Sequence, residues 1–73
     1  MFSFGVRLKQ LRQARNITQK QLAEATNLSE RGIQNYEISV RKPTYEILIT
    51  LADYFGVSID YLTGRTDKPE VNK

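Results

Sequence analysis

A serine or threonine precedes each of five stretches of the chain whose composition suits an α-helix, at Ser3, Thr18, Ser29, Thr44 and Ser58. A side-chain oxygen in this position accepts a hydrogen bond from a first-turn amide that has no partner inside the helix. Gly56 and Gly64 follow the last two stretches, where glycine commonly ends a helix. The pattern predicts five short helices, over about residues 4–15, 19–25, 30–37, 45–55 and 59–63.

The apolar residues also favour helices over strands. Leu48, Leu51 and Phe55 recur at helical spacing, and no run alternates apolar and polar residues between turns. A chain of 73 residues has room for one core only. Because it has neither Cys nor His, disulfides and most zinc sites are excluded as supports. We therefore expect a single all-α domain, stabilised by closely packed helices or by oligomerisation.

The same composition restricts the chemistry. Without Cys or His, catalysis would depend on scattered carboxylates such as Asp53 and Asp60, which no nucleophile or base accompanies. We expect no enzymatic activity, cofactor or metal. No apolar stretch reaches the roughly 20 residues of a membrane span, and no signal-like leader is present, so we expect a cytoplasmic protein that does not bind membranes. A net charge of +3 mildly favours an anionic partner.

The most informative stretch is residues 19–38, where two short helices are joined by a tight turn. Ala23 is small enough for the helices to approach each other, and Asn27 tolerates the positive φ that the turn requires. The apolar residues of this pair point to the body of the domain. The outer face of the second helix is polar and comprises Ser29, Glu30, Arg31, Gln34 and Asn35.

This segment resembles the helix–turn–helix of the Cro/C1-type, or Xre-like, bacterial and phage repressors. The resemblance runs from about Leu8 to Arg65 and rests on Thr18-Gln19, Leu22-Ala23-Glu24, Leu28-Ser29, Ile33, Tyr36-Glu37, Arg41-Lys42-Pro43-Thr44 and Asp60-Tyr61-Leu62-Thr63-Gly64. It implies a compact five-helix, lambda-repressor-like DNA-binding domain over residues 1–64, with the helix–turn–helix at about 18–37. A polar C-terminal tail follows at 65–73.

The resemblance implies a transcriptional regulator that binds double-stranded DNA, of the phage or mobile-element repressor type. Such a regulator binds a palindromic operator as a homodimer, with half-sites about 10 bp apart or a multiple of that. No small-molecule effector is evident from the sequence. The alternative is a protein–protein interaction module on the same scaffold, such as an antitoxin or antirepressor. The base-readable side chains favour DNA, and the short polar tail is a poor toxin-binding extension.

The residues expected at the DNA lie in and around the third helix. A helix in the major groove reads bases with residues near its N-terminus. Arg31 can pair with guanine and Gln34 and Asn35 with adenine. Glu30 could accept from cytosine, although the helix dipole alone also favours a carboxylate there. The expected phosphate contacts are Gln19, Lys20, Ser29, Arg41 and Lys42, although exposed basic residues often serve only solubility.

Two further roles are structural. The resemblance pairs Arg12, late in the first helix, with Glu37 at the end of the third. It also implies that Gln19 braces this third helix, the one that would enter the major groove. Gly32 inside that helix costs roughly 0.5–1 kcal/mol relative to Ala. Either Gly32 allows the backbone to approach DNA or a neighbouring helix closely, or it is a neutral substitution that the fold tolerates.

The fourth helix is apolar on nearly all its faces, which indicates burial on more than one side. Either the first and fifth helices cover it, or part of it is a surface for self-association. The residues of that possible dimer surface are Tyr45, Ile49 and Tyr61. Phe2 and Phe4, at the other end of the chain, could likewise be covered by the domain or take part in self-association.

Charge is divided along the sequence. Residues 1–43 hold eight basic and three acidic side chains, a net +5, and residues 44–73 hold three basic and five acidic ones, a net −2. The positive part contains the whole helix–turn–helix, so we expect the anionic partner there.

Overall fold

Every helix begins next to the serine or threonine that marks its start in the sequence. The structure is a computed structural model that describes residues 3–69, so Phe2 and the end of the expected tail lie outside the described residues. The described chain forms α1 (Phe4–Ala14), α2 (Gln19–Thr26), α3 (Glu30–Glu37), α4 (Tyr45–Phe55) and α5 (Ile59–Leu62). It contains no strand, which confirms the all-α prediction.

The N-caps follow one pattern. The side chains of Ser3, Thr18, Ser29, Thr44 and Ser58 each accept a hydrogen bond from the amide three residues later. At α2 the exchange is reciprocal, because the Gln21 amide donates to Thr18 Oγ1 (3.0 Å) and the Thr18 amide donates to Gln21 Oε1 (2.8 Å). This capping box fixes the start of the helix–turn–helix.

The described helices also end alike, each with a residue of positive φ just beyond its last turn: Asn16, Asn27, Ser39, Gly56 and Gly64. The amide of this residue bonds to the carbonyl three positions back, and the next amide bonds to the carbonyl five positions back. At the turn of the helix–turn–helix, for example, the Leu28 amide donates to the Ala23 carbonyl (2.9 Å). This arrangement, the Schellman motif, satisfies carbonyls that the helix leaves without partners.

Three helix ends differ by one residue from the predicted bounds. α1 ends at Ala14 rather than at residue 15, and α5 ends at Leu62 rather than at residue 63. α2 continues through Thr26 instead of ending at residue 25. Thr26 is buried, and its hydroxyl donates to the Leu22 carbonyl (2.7 Å), so the polar atom is satisfied within the helix.

Each helix supplies one aliphatic side chain with no exposed surface to a single core, namely Leu8, Leu22, Ile33, Leu51 and Leu62. α3 packs against both α1 and α2. α3 is therefore supported by two helices, and its polar face points to solvent.

The first turn of α1 meets the end of α3 without a side chain between the two backbones. A Cβ at Gly5 would lie 2.5 Å from the carbonyl oxygen of Tyr36 and 2.8 Å from that of Glu37. Beside this contact the ring of Phe4 packs edge-on against Tyr36, with 5.9 Å between ring centroids. Only glycine fits position 5 without moving one of the helices.

α4 packs mainly against α5 and α2. The sequence instead suggests α1 and α5 as the helices that cover α4. Arg15, which follows α1, contacts the end of α4, because its guanidinium donates to the carbonyls of Tyr54 (3.2 Å) and Phe55 (3.0 Å). Tyr45, at the other end of α4, is 66% exposed, so the covering is incomplete. None of the helices within residues 3–69 is long and apolar enough to cross a lipid bilayer.

The segment after α5 turns back along the domain. The Ser58 amide donates to the Pro69 carbonyl (3.1 Å), and Asp67 lies 3.8 Å from the guanidinium of Arg7. Arg7 is 4% exposed and stacks over the ring of Tyr61, 3.9 Å from its centroid. The described part of the expected tail is thus mostly solvent-exposed and also anchored to α1 and α5.

Candidate nucleic-acid interface

The outward face of α3 collects the side chains that the sequence assigned to base reading. Glu30, Arg31 and Gln34 are exposed, and Asn35 is partly buried. The opposite face is fixed to the domain, because Gly32, Ile33, Tyr36 and Glu37 are buried. One side of α3 therefore anchors the helix, and the other presents two amides, a guanidinium and a carboxylate to solvent.

Glu37, the last residue of α3, is held by two other helices. Arg12 of α1 donates to both of its carboxylate oxygens, from Nε to Oε2 (2.7 Å) and from Nη2 to Oε1 (3.1 Å). The second partner is Gln19 of α2, whose Nε2 donates to Oε1 (3.1 Å). Such a two-pronged guanidinium–carboxylate pair fixes direction as well as distance. The Arg12–Glu37–Gln19 cluster thus ties the end of α3 to α1 and to the start of α2.

The cluster is also shielded from water, since the Arg12 side chain is 13% exposed and that of Glu37 only 3%. The remaining Arg12 nitrogen, Nη1, donates to the Ile17 carbonyl (2.9 Å). The hydrogen bond to Glu37 raises the pKa of the Arg12 guanidinium, and burial opposes this increase. The Arg12 contribution to stability is complete below the unfolded-state pKa and is lost only as the pH rises through the higher folded-state pKa, so the Arg12 guanidinium stays charged near neutral pH.

The residues expected to contact phosphate lie before and after α3 in the sequence. Gln19, Lys20 and Ser29 precede it, and Arg41 and Lys42 lie in the loop before α4. The Gln19 amide braces Glu37, as the resemblance implied, and the Ser29 hydroxyl accepts from the Gly32 amide (3.0 Å). Lys20, Arg41 and Lys42 are exposed and pair with no carboxylate among residues 3–69. Their charge is available to an anion.

Gly32 is crowded by its own helix rather than by another one. A Cβ at this position would lie 2.9 Å from the Ser29 Oγ and 3.8 Å from the Tyr36 ring. No atom of a neighbouring described helix is that close. Close approach to a second helix is therefore not the reason for this glycine, and a side chain here would displace the N-cap hydroxyl of α3.

Two of the three residues considered for self-association lie on α4. Tyr45 and Ile49 lie one turn apart on α4, Tyr45 exposed and Ile49 partly buried. Tyr61 lies on α5, where the Arg7 guanidinium covers one face of its ring. Tyr45 is therefore the most exposed of the three residues.

Comparison with known proteins gives matches over most of the chain. A helix-turn-helix family model matches residues 8–62. The HTH-type transcriptional regulator ImmR of Bacillus subtilis is 38% identical over 71 residues, which are 97% of this chain and 56% of ImmR. The cryptic phage CTXphi transcriptional repressor RstR of Vibrio cholerae is 41% identical over 59 residues, 81% of this chain and 53% of RstR. The chain spans about half the length of these relatives.

A solved structure shares the fold. The P22 c2 repressor in complex with synthetic operator 9T superposes with a TM-score of 0.80 at 29% identity, covering 85% of this chain and 94% of that one. That protein has the lambda-repressor-like arrangement described above. Family model, sequence relatives and fold agree, and the chain belongs to the helix-turn-helix family of Cro/C1-type transcriptional regulators.

Proposed function

We propose that residues 1–64 form the sequence-specific DNA-binding domain of a transcriptional repressor of the phage or mobile-element type, with α3 in the major groove. The observation that carries this proposal is the two-sided construction of α3. Its polar face points outward, and its last residue is locked by Arg12 and Gln19. A helix held in this way presents its side chains to base edges at a fixed angle, which direct readout requires.

Base contacts follow from the chemistry of the exposed side chains. The fork of Arg31 matches O6 and N7 of guanine, and the amide of Gln34 matches N6 and N7 of adenine. Asn35 offers the same amide from a partly buried position. Glu30, in the first turn, is placed to accept from a cytosine amino group. These side chains supply the discrimination between operator sequences.

Contacts to backbone phosphates set the orientation of the domain on the DNA. Gln19, Lys20 and Ser29 precede α3 in the chain and Arg41 and Lys42 follow it, and contacts from them to backbone phosphates would fix the position of α3 in the groove. The surplus of positive charge in residues 1–43, eight basic against three acidic side chains, supports the same placement.

The proposed regulator is a cytoplasmic homodimer that occupies a palindromic operator and blocks a promoter. Two-fold pairing places the two α3 helices in successive major grooves, with half-sites about 10 bp apart or a multiple of that. Tyr45 and Ile49 on α4 offer an apolar surface for the second copy. RstR, a relative of similar sequence, is named a phage transcriptional repressor.

Selection from a library of labelled palindromes at two or more salt concentrations tests the proposal. We expect one enriched sequence, and an affinity that falls linearly with salt on logarithmic axes, with a slope of about −0.9 for each phosphate contacted. A flat salt response, or no enriched sequence, would contradict DNA binding. It would favour a protein-binding module, such as an antitoxin or antirepressor, on the same scaffold.

A further inference from the structure

An open cleft of about 340 Å³ lies where α1 passes the start of α2 and the end of α3. This volume is within the range of small-ligand pockets, about 300–1,000 Å³, and it has room for a phosphate group. The described residues that line it are Lys9, Arg12, Thr18, Gln19, Glu37 and Ile38. The cleft therefore borders the Arg12–Glu37–Gln19 cluster and the proposed phosphate contact at Gln19.

The cleft carries one positive charge that is not compensated. Glu37 contributes its carboxylate, and Arg12 neutralises it at 2.7 Å. Lys9 is exposed, and no carboxylate within the described chain lies within 4.0 Å of its ammonium group. Because the acid of the cleft is already paired, the charge of Lys9 remains available to an anion from outside.

The basic residues of α1 point in different directions. Lys9 and Arg12 are three residues apart and share the face toward α2 and α3. Arg7 is two residues from Lys9, about 200° around the helix, and contacts Tyr61 and Asp67 instead. Arg7 is thus occupied within the fold, while Lys9 faces the same edge of the molecule as Gln19.

We propose that Lys9 holds a backbone phosphate of the bound DNA in this cleft, together with Gln19. The Gln19 amide uses one of its two hydrogens on Glu37 and has the second available for a phosphate oxygen. The inference rests on the proposed function and extends the DNA interface from the helix–turn–helix to α1. It makes Lys9 a positioning residue that fixes α1 on the DNA backbone and reads no base.

The test is a comparison of Lys9→Gln with the unchanged protein on the selected palindrome and on two mismatched palindromes. Losing one phosphate contact should weaken binding to all three DNAs by the same factor and reduce the steepness of the logarithmic salt dependence by about 1. Between 50 and 200 mM salt, the affinity advantage of the unchanged protein should therefore shrink about 3.5-fold. Lys9→Arg, which keeps the charge, should retain most of the salt dependence.

Lys68→Gln is the matched control, because it removes the same charge next to Asp67, which contacts Arg7 on the other side of α1. We expect its salt dependence to match that of the unchanged protein, and both Gln variants to melt normally because both lysines are exposed. Equal salt dependence in Lys9→Gln and Lys68→Gln would overturn the role of Lys9. Absence of salt-dependent binding in the unchanged protein would instead overturn the proposed function itself.

Discussion

α3 and α4 are built on the same plan and present opposite surfaces. Each starts at a hydroxyl N-cap, ends in a Schellman motif, and is tied to α1 by an arginine near its C-terminus. α3 exposes a guanidinium, an amide and a carboxylate, whereas α4 exposes one large apolar residue, Tyr45, together with the carboxylates of Glu46 and Asp53. The two helices thus share their start and end signals and differ in their exposed residues, and we propose nucleic acid as the partner of α3 and a second protein copy as that of α4.

The two arginine anchors are unequal. Arg12 meets a carboxylate in a shielded cluster, whereas Arg15 is an exposed residue that donates to two backbone carbonyls. Removing Arg12 leaves the Glu37 carboxylate buried without its charged partner, whereas removing Arg15 leaves no buried side-chain charge and loses two hydrogen bonds to backbone carbonyls. Stability should therefore depend much more on the anchor of α3 than on that of α4.

Arg12→Ala should lower the free energy of unfolding by about 3–5 kcal/mol, because Glu37 would remain buried without its partner. Arg15→Ala, the matched control, should cost about 1.5 kcal/mol, the lower end for a hydrogen bond to a charged group. Urea unfolding of both variants measures the difference. If Arg12→Ala lost DNA binding but unfolded like the unchanged protein, Arg12 would act at the DNA and the anchoring role would be wrong.

Arg31→Ala tests the outward face of α3. We expect a loss of about 1–3 kcal/mol in discrimination at one base position and no change in melting, because Arg31 is exposed. Binding to a panel of single-base operator variants measures this loss. The control Lys20→Ala should weaken binding to every variant equally. A uniform loss for Arg31→Ala as well would place Arg31 on the phosphate backbone.

Tyr45→Ala tests the protein-facing role of α4. Loss of an interface tyrosine should weaken self-association and binding to the full palindrome by about 1–2 kcal/mol, and leave binding to an isolated half-site unchanged. Sedimentation equilibrium and titration with both DNAs give these quantities. Val40→Ala is the control, since Val40 is an equally exposed apolar residue outside α4. An unchanged dimer in Tyr45→Ala would move the interface away from this end of α4.

The substitution Ser39→Gly compares the C-terminal ends of α3 and α4, because it gives α3 the same residue of positive φ that ends α4. Ser39 closes α3 at a φ of 64°, and Gly56 closes α4 at a φ of 68°. A left-handed L-residue costs about 1–2 kcal/mol, of which the flexibility of glycine in the unfolded chain offsets about 0.5–1. We expect Ser39→Gly to raise the free energy of unfolding by about 0.5–1 kcal/mol and Gly56→Ala to lower it. A destabilised Ser39→Gly would show that the serine side chain supports the end of α3.

Local signals predicted the helices well, because capping depends on neighbouring residues. The hydroxyl N-caps and the endings at Asn27, Gly56 and Gly64 follow from residue type. Asn16 could have been found by the argument that applies to Asn27, since asparagine tolerates the left-handed region. Ser39 could not, because serine has no such preference.

Contacts between distant residues could not be derived from local patterns. The resemblance implied the Arg12–Glu37 pair and the brace at Gln19, but not that Gln19 would share a carboxylate oxygen with Arg12. The need for Gly5 arises from the carbonyls of Tyr36 and Glu37, more than 30 residues along the chain. Likewise, the burial of Arg7 depends on how α5 and the following segment return to α1.

The single core, to which every described helix gives one fully buried aliphatic side chain, has a consequence for folding. α3 has only eight residues, too few to persist alone in water. Its Ile33 shares the core with Leu8 and Leu62, which lie near the two ends of the described chain. A fragment limited to the helix–turn–helix should therefore be unstructured, and the domain should unfold in one cooperative transition in which DNA recognition and chain order are lost together.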